Sequence, residues 1–166
     1  MHTSRGMSGC SGDPIANEWH AERMAEDADI RERVAAVVHA WVNPIPERVS
    51  VELMDSHFWD LEPTSPQASR LWVAGYEAWD LTVGFGRRDS RIELGYSSKV
   101  TPEEALDSLN EIGRSIIAGR LTEWRRGKSG SRWKLVLPDG TVTHGSTNWF
   151  LPLWWRGATE EHFAPY

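Results

Sequence analysis

The chain of 166 residues contains one cysteine, Cys10, and no long apolar run. A single cysteine cannot form an internal disulfide, so the fold does not depend on oxidation. No stretch approaches the roughly 18 apolar residues that indicate a membrane-spanning helix. The first twenty residues hold no apolar segment of the kind found in secretory signals. These absences predict a cytoplasmic protein without a membrane span.

The chain also lacks the patterns that mark common catalytic and metal sites. No Gly-x-Ser-x-Gly motif is present, and the glycines of Gly84-Phe85-Gly86 and Gly127-Lys128-Ser129 lack the strand-to-helix context of phosphate-binding loops. Six histidines show no pair at ligand spacing. The nearest cluster, Asp55-x-His57-x-x-Asp60, offers too few donors for zinc or iron. The sequence therefore predicts no catalytic residues, no metal and no cofactor.

Two amphipathic segments predict the main helices. Residues 102–118 follow Thr101, a good N-cap, and Glu104 stands where a reciprocal capping box requires it. Apolar residues recur at helical spacing through this segment and again over residues 29–42. The prolines of Asn43-Pro44-Ile45-Pro46 end the second of these patterns. Both segments are expected to bury one face against a core.

The rest of the chain alternates apolar and polar residues in short runs, which predicts about six to seven strands. Residues 55–68 show no such alternation and hold two prolines, so they are predicted to form the longest loop. Residues 1–12 are small and polar and are expected to be disordered, which leaves 13–166 as one domain. The predicted class is α+β: a single, mainly antiparallel, meandering sheet with both helices packed on one face.

Charge and tryptophan content are the two unusual features of the composition. The net charge is −6, but residues 1–112 carry −10 and residues 113–166 carry +4. Such a division predicts one acidic and one basic surface, which bears on partners and not on the fold. The chain holds ten tryptophans. Most tryptophans anchor cores, and the remainder serve as ligand platforms or as binding hot spots.

The acidic region around the predicted long loop is the candidate partner surface. Loops on a rigid sheet often carry recognition, and an aromatic side chain ringed by charge is typical of a hot spot. We therefore predict a non-enzymatic protein-binding module, in the manner of inhibitors or toxin-neutralising immunity proteins, whose partner is basic. The candidate binding residues are Asp55, His57, Trp59, Asp60, Glu62, Trp72 and Trp79.

Two alternatives remain open. The carboxylates and tryptophans between residues 52 and 80 could converge in a pocket of a small enzyme or ligand-binding domain. The stretch 120–134 holds six basic residues and one acidic residue, interleaved with Trp124 and Trp133, as a platform for single-stranded nucleic acid requires. The acidity of the whole chain argues against nucleic acid as the partner.

Overall fold

The computed structural model describes residues 14–55, 57–75, 80–95, 100–126, 130–146 and 157–166. The predictions for residues 1–12 and for Trp79 lie outside these described residues. The elements, in chain order, are α1 (Pro14–Val42), β1 (Val49–Asp55), β2 (Phe58–Pro63), β3 (Leu71–Gly75), β4 (Leu81–Phe85), β5 (Ser90–Leu94), α2 (Pro102–Ile117), β6 (Leu121–Arg126), β7 (Gly130–Val136), β8 (Val142–Ser146) and β9 (Thr159–His162).

The first sheet is a five-stranded antiparallel meander in the order β1-β2-β3-β4-β5. Because successive side chains of a strand point to opposite faces, one face collects the apolar residues of each strand. Leu61, Leu71, Val73, Val83 and Phe85 are all at most 1% exposed and form the sheet's contribution to the core. The two helices pack on this face.

Helix α2 begins as its sequence predicts. The Thr101 hydroxyl accepts the Glu104 N–H at 3.3 Å, and a Glu104 carboxylate oxygen accepts the Thr101 N–H at 2.8 Å. Both bonds satisfy donors that a helix N-terminus leaves without intrahelical partners. The predicted capping box and helix are therefore confirmed.

The two helices meet where a glycine allows close approach. A Cβ at Gly113 would lie 2.2 Å from the Trp41 ring, so this ring fits against α2 only because the position is glycine. The Trp41 indole N–H donates to the Asn110 side-chain oxygen at 3.0 Å. Buried Trp41 thereby satisfies its one polar group while it fills the space between the helices.

The second sheet has four antiparallel strands in the order β8-β7-β6-β9. Its apolar face joins the same core, where the Phe85 and Trp133 rings meet edge to face with centroids 5.2 Å apart. Leu121 and Leu135 are at most 1% exposed on this face. The core is therefore shared by two sheets and two helices, as expected for one domain.

The α+β class, the antiparallel meander and the two main helices are confirmed. Three details differ: the strands divide into two sheets, nine strands lie within the described residues, and α1 starts at Pro14, well before residue 29. The prediction of a long loop over residues 55–68 is wrong, because residues 58–63 form β2. Trp59 and Leu61 point into the core there, while Asp60 and Glu62 point away. The alternation of apolar and polar residues expected of a strand is therefore present, but only over a short stretch.

Candidate functional site

The face of the first sheet that points away from the helices carries most of the predicted site; we call it the outer face. Residues that are directly opposite in antiparallel strands share a face. Glu52 of β1 is opposite Asp60 of β2, and Asp60 is opposite Trp72 of β3. Glu62, two residues after Asp60, points the same way. The register thus brings Glu52, Asp60, Glu62 and Trp72 onto one surface.

An aromatic pair stands at the centre of the outer face. The rings of Phe58 and Trp72 stack with centroids 5.3 Å apart and an interplanar angle of 22°. Trp72 also lies flat across Gly84, since a Cβ at Gly84 would be 1.8 Å from the indole ring. Phe58 and Trp72 are both half-buried. They therefore present fixed aromatic surface to solvent, which is inexpensive to bury against a partner.

Arg70 connects two of the carboxylates on the outer face. Its guanidinium donates to both Asp60 oxygens, with Nε 3.0 Å from Oδ1, and lies 3.7 Å from Glu62. The bonds to Asp60 raise the pKa of Arg70 above its usual range. The Asp60 side chain is 12% exposed, whereas that of Glu62 is 66% exposed. Arg70 compensates the charge of Asp60, and the exposed negative charge lies on Glu62 and on exposed Glu52.

Of the remaining predicted residues, Trp59 does not join this surface. Trp59 is 5% exposed and packs in the core, because it alternates with its neighbours Phe58 and Asp60. It therefore belongs to the core and not to the outer face. His57 is half-buried in the turn between β1 and β2, where its carbonyl accepts the Gly75 N–H at 2.8 Å. The backbone of Asp55 ends β1.

Sequence reasoning missed a polar cluster at the junction of the two sheets. The Glu123 carboxyl group is fully buried, accepts the Arg87 backbone N–H at 3.0 Å and lies 3.4 Å from the Ser90 hydroxyl. Burial raises the pKa of Glu123 above its ordinary value. Arg87 and Arg125 both pair with Glu161, at 3.0 and 2.6 Å. The alternation of side chains along a strand could have indicated this burial, since Glu123 shares the inward face of β6 with Leu121.

The second sheet also has a face that points away from the core, and this face is basic. It carries only some of the basic and aromatic residues of the stretch 120–134. The register places Trp124 opposite Arg132, and Lys134 opposite His144, on this face. A groove of about 380 Å³ lies between these side chains. Trp133 and Arg125 have the opposite parity and point inward. The structure thus divides the basic and aromatic residues of the hairpin between two faces.

Two further grooves lie elsewhere on the protein, and one of them reaches the β5 edge of the outer face, where Arg91 is opposite Gly84. One, of about 450 Å³, lies between α1 and α2 and includes Trp41 and Asn110. The other, of about 440 Å³, includes Arg91, Trp133 and Ser146. Across the described ranges, no three His, Cys, Asp or Glu side chains converge as a metal site would require. Neither helix, as far as it is described, combines the length and apolar character needed to cross a membrane.

The chain matches no protein family model, no curated protein and no solved structure. The surfaces of the protein, and their geometry, are therefore the basis for inferring its function.

Proposed function

We propose that this protein is a non-enzymatic protein-binding module whose partner docks on the outer face of the first sheet. The observation that carries the proposal is the Phe58–Trp72 stack beside the exposed carboxylates of Glu52 and Glu62. A rigid aromatic centre with a charged rim is the usual anatomy of a binding hot spot. Trp72 takes the role of aromatic anchor, since Trp59 lies in the core.

The charges on the outer face favour a basic partner. Exposed Glu52 and Glu62 lie on neighbouring strands, and the whole chain carries −6. Complementary charge accelerates association and selects against other acidic proteins. A small cytoplasmic inhibitor or a toxin-neutralising immunity-type protein would act in this way, by covering a basic functional surface of its target.

The charge of the outer face is tested by the double variant Glu52→Gln/Glu62→Gln. The target is first captured from an extract of the native host with the wild-type protein, and its association rate is then measured by stopped flow. We expect the variant to associate on the order of three- to tenfold more slowly at low ionic strength. The difference should disappear at high salt, because mobile ions screen exposed charges.

A matched control separates the outer face from net charge. Asp107→Asn/Glu111→Gln removes the same two charges from exposed positions on α2. Association of this variant should stay close to the wild-type rate. Equal slowing by the two double variants would refute the outer face as the docking site. Trp72→Phe keeps the charges of Glu52 and Glu62 intact. Weaker binding by this variant than by the wild type would therefore identify the indole as the anchor.

A second candidate function is suggested by Trp124, Arg132 and Lys134 on the outer face of the second sheet. We expect this surface not to bind nucleic acid, because a single strand requires several phosphate contacts and Glu160 lies opposite Trp124. Titration of the intrinsic fluorescence with single-stranded DNA at low salt should show no saturable change. Micromolar binding that weakens with salt and is lost in Trp124→Ala would make nucleic-acid binding the better proposal.

A further inference from the structure

Strand β1 forms one edge of the first sheet. It pairs with β2 on one side, and no other strand among the described residues pairs with it on the opposite side. An edge strand leaves a row of backbone donors and acceptors unpaired.

The register identifies the backbone groups that point outward. The Thr64 N–H donates to the Arg48 carbonyl at 2.8 Å, so Arg48 and Thr64 form a hydrogen-bonded pair. The register then runs without a shift to Leu53–Trp59, and hydrogen-bonded pairs recur at every second residue. Ser50 and Glu52 therefore bond to β2, while the N–H and C=O groups of Val51 and Leu53 point to the free edge.

The side chains of this edge are unusually apolar. Val51, Leu53 and Met54 are 36%, 57% and 59% exposed, and they are three of the five large apolar residues that are exposed in the described chain. At seven residues β1 is also the longest edge strand, since β5 and β8 have five residues each and β9 has four. Native proteins usually shorten or charge such an edge, because it otherwise pairs with other chains.

The charges around the edge define the occupant that fits it. Glu52, which is opposite Asp60, and Glu62, which is opposite Ser50, lie on the outer face, whereas Val51 and Leu53 point to the other face. A strand added to β1 would place successive residues beside these two faces in turn. Its residues next to Val51 and Leu53 should be apolar, and those next to Glu52 should be lysine or arginine.

We propose that the free edge of β1 binds an extended segment of the partner protein, in which apolar and basic residues alternate, as an additional strand of the first sheet. This inference rests on the proposed function, since Glu52 and Glu62 belong to both surfaces. Main-chain bonds supply much of the affinity in such complexes, and the alternating side chains supply specificity. A second copy of the chain fits less well, because each copy brings the same carboxylates and a charge of −6.

The backbone requirement is tested with one pair of variants. Val51→Pro removes the outward N–H without removing a bond to β2, and proline is tolerated where the N–H faces solvent. Val51→Thr keeps both the N–H and the branched shape. The probe is a blocked seven-residue peptide of alternating lysine and valine, which matches the length of β1. Binding is measured by calorimetry, and the site by amide hydrogen exchange.

We expect the peptide to slow exchange of the Val51 and Leu53 amides. Val51→Pro should weaken binding about tenfold or more relative to Val51→Thr. A peptide with alternate N-methylated amides should fail to bind the wild-type protein, and this arm needs no variant to fold. A peptide of alternating glutamate and valine should bind much more weakly. Equal binding by the two variants, or protection elsewhere than β1, would overturn the proposal.

The same variants separate this inference from the proposed function. If the captured partner binds Val51→Pro normally but Glu52→Gln/Glu62→Gln poorly, the outer face is the docking site and strand addition is wrong. If neither variant affects the partner, both proposals fail. Sedimentation of the wild-type protein without peptide should show a monomer, whereas a dimer that Val51→Pro dissociates would make a second copy the occupant.

Discussion

Trp59→Ala is expected to lower the free energy of unfolding by about 3–5 kcal/mol, the range found when a buried tryptophan is truncated. Trp59 is 5% exposed, is opposite Val73 in the sheet, and has its ring 3.8 Å from where a Cβ at Gly75 would stand. Little of the resulting cavity can close, because strands on both sides hold the backbone apart. Urea unfolding monitored by circular dichroism measures the loss.

The matched comparison is Trp72→Ala, because Trp72 lies on the neighbouring strand but on the opposite face of the sheet. Its ring is half-buried and rests on the outer face, so the loss of stability should be clearly smaller. The two variants therefore separate folding from binding: Trp59→Ala reports on the core, and Trp72→Ala on the surface. A Trp59→Ala protein as stable as the wild type would contradict the placement of that side chain in the core.

The helices could be predicted because their signals are local. Thr101 and Glu104 stand three positions apart, and the apolar stripe of α2 repeats over four turns, so no distant residue is needed to recognise the helix. Strand β2 could not be recognised in this way. It has six residues, ends at Pro63, and follows a turn at His57, so the alternation of Trp59 and Leu61 with polar residues is too short to stand out.

The candidate site shows the same limit. In a loop, Trp59, Asp60 and Glu62 could lie on one surface, but neighbours in a strand point to opposite faces. Once residues 58–63 are known to form β2, the alternation of side chains places Trp59 in the core, and Asp60 and Glu62 on the outer face. The contact of Trp72 with Phe58 depends on the register between β2 and β3, which sequence periodicity does not specify.

Buried Glu123 was beyond local reasoning for a different reason. The sequence of β6 does indicate that Glu123 points inward, because Glu123 alternates with Thr122 and Trp124, which point the other way. However, the groups that make burial of a carboxyl group tolerable come from elsewhere: the Arg87 N–H and the Ser90 hydroxyl belong to the β4–β5 hairpin. Only the packing of one sheet against the other brings these donors to the carboxyl group.

The pH dependence of stability should show this burial directly. Glu123 has a pKa that burial raises in the folded state, despite the opposing effects of the Arg87 N–H and the Arg125 charge; nearby Glu161 raises it further. The folded protein therefore holds this proton more tightly than the unfolded chain does. The contribution of Glu123 is greatest below its unfolded pKa and is lost as the pH rises towards its folded pKa.

Glu123→Gln removes this titration but keeps the size of the side chain and an acceptor for the Arg87 N–H. We expect the stability of Glu123→Gln, relative to the wild type, to increase as the pH rises from about 4 through the raised folded pKa, and then to level off. Glu123→Ala should show the same rise with pH, but from a stability lower by about 1–3 kcal/mol, because it leaves the Arg87 donor unpaired. Urea melts across this pH range measure both differences.

Glu104→Gln is the control of opposite sign. The Thr101 N–H and hydroxyl lower the pKa of Glu104, so its contribution is present above its unfolded pKa and is lost as the pH falls. Relative to the wild type, Glu104→Gln should become less stable as the pH rises from acid, while Glu123→Gln becomes more stable. The wild-type curve alone cannot separate these effects, because they oppose one another. Parallel curves for the two variants would show that Glu123 does not titrate as a buried carboxyl group, and would contradict the packing of β6 against the β4–β5 hairpin.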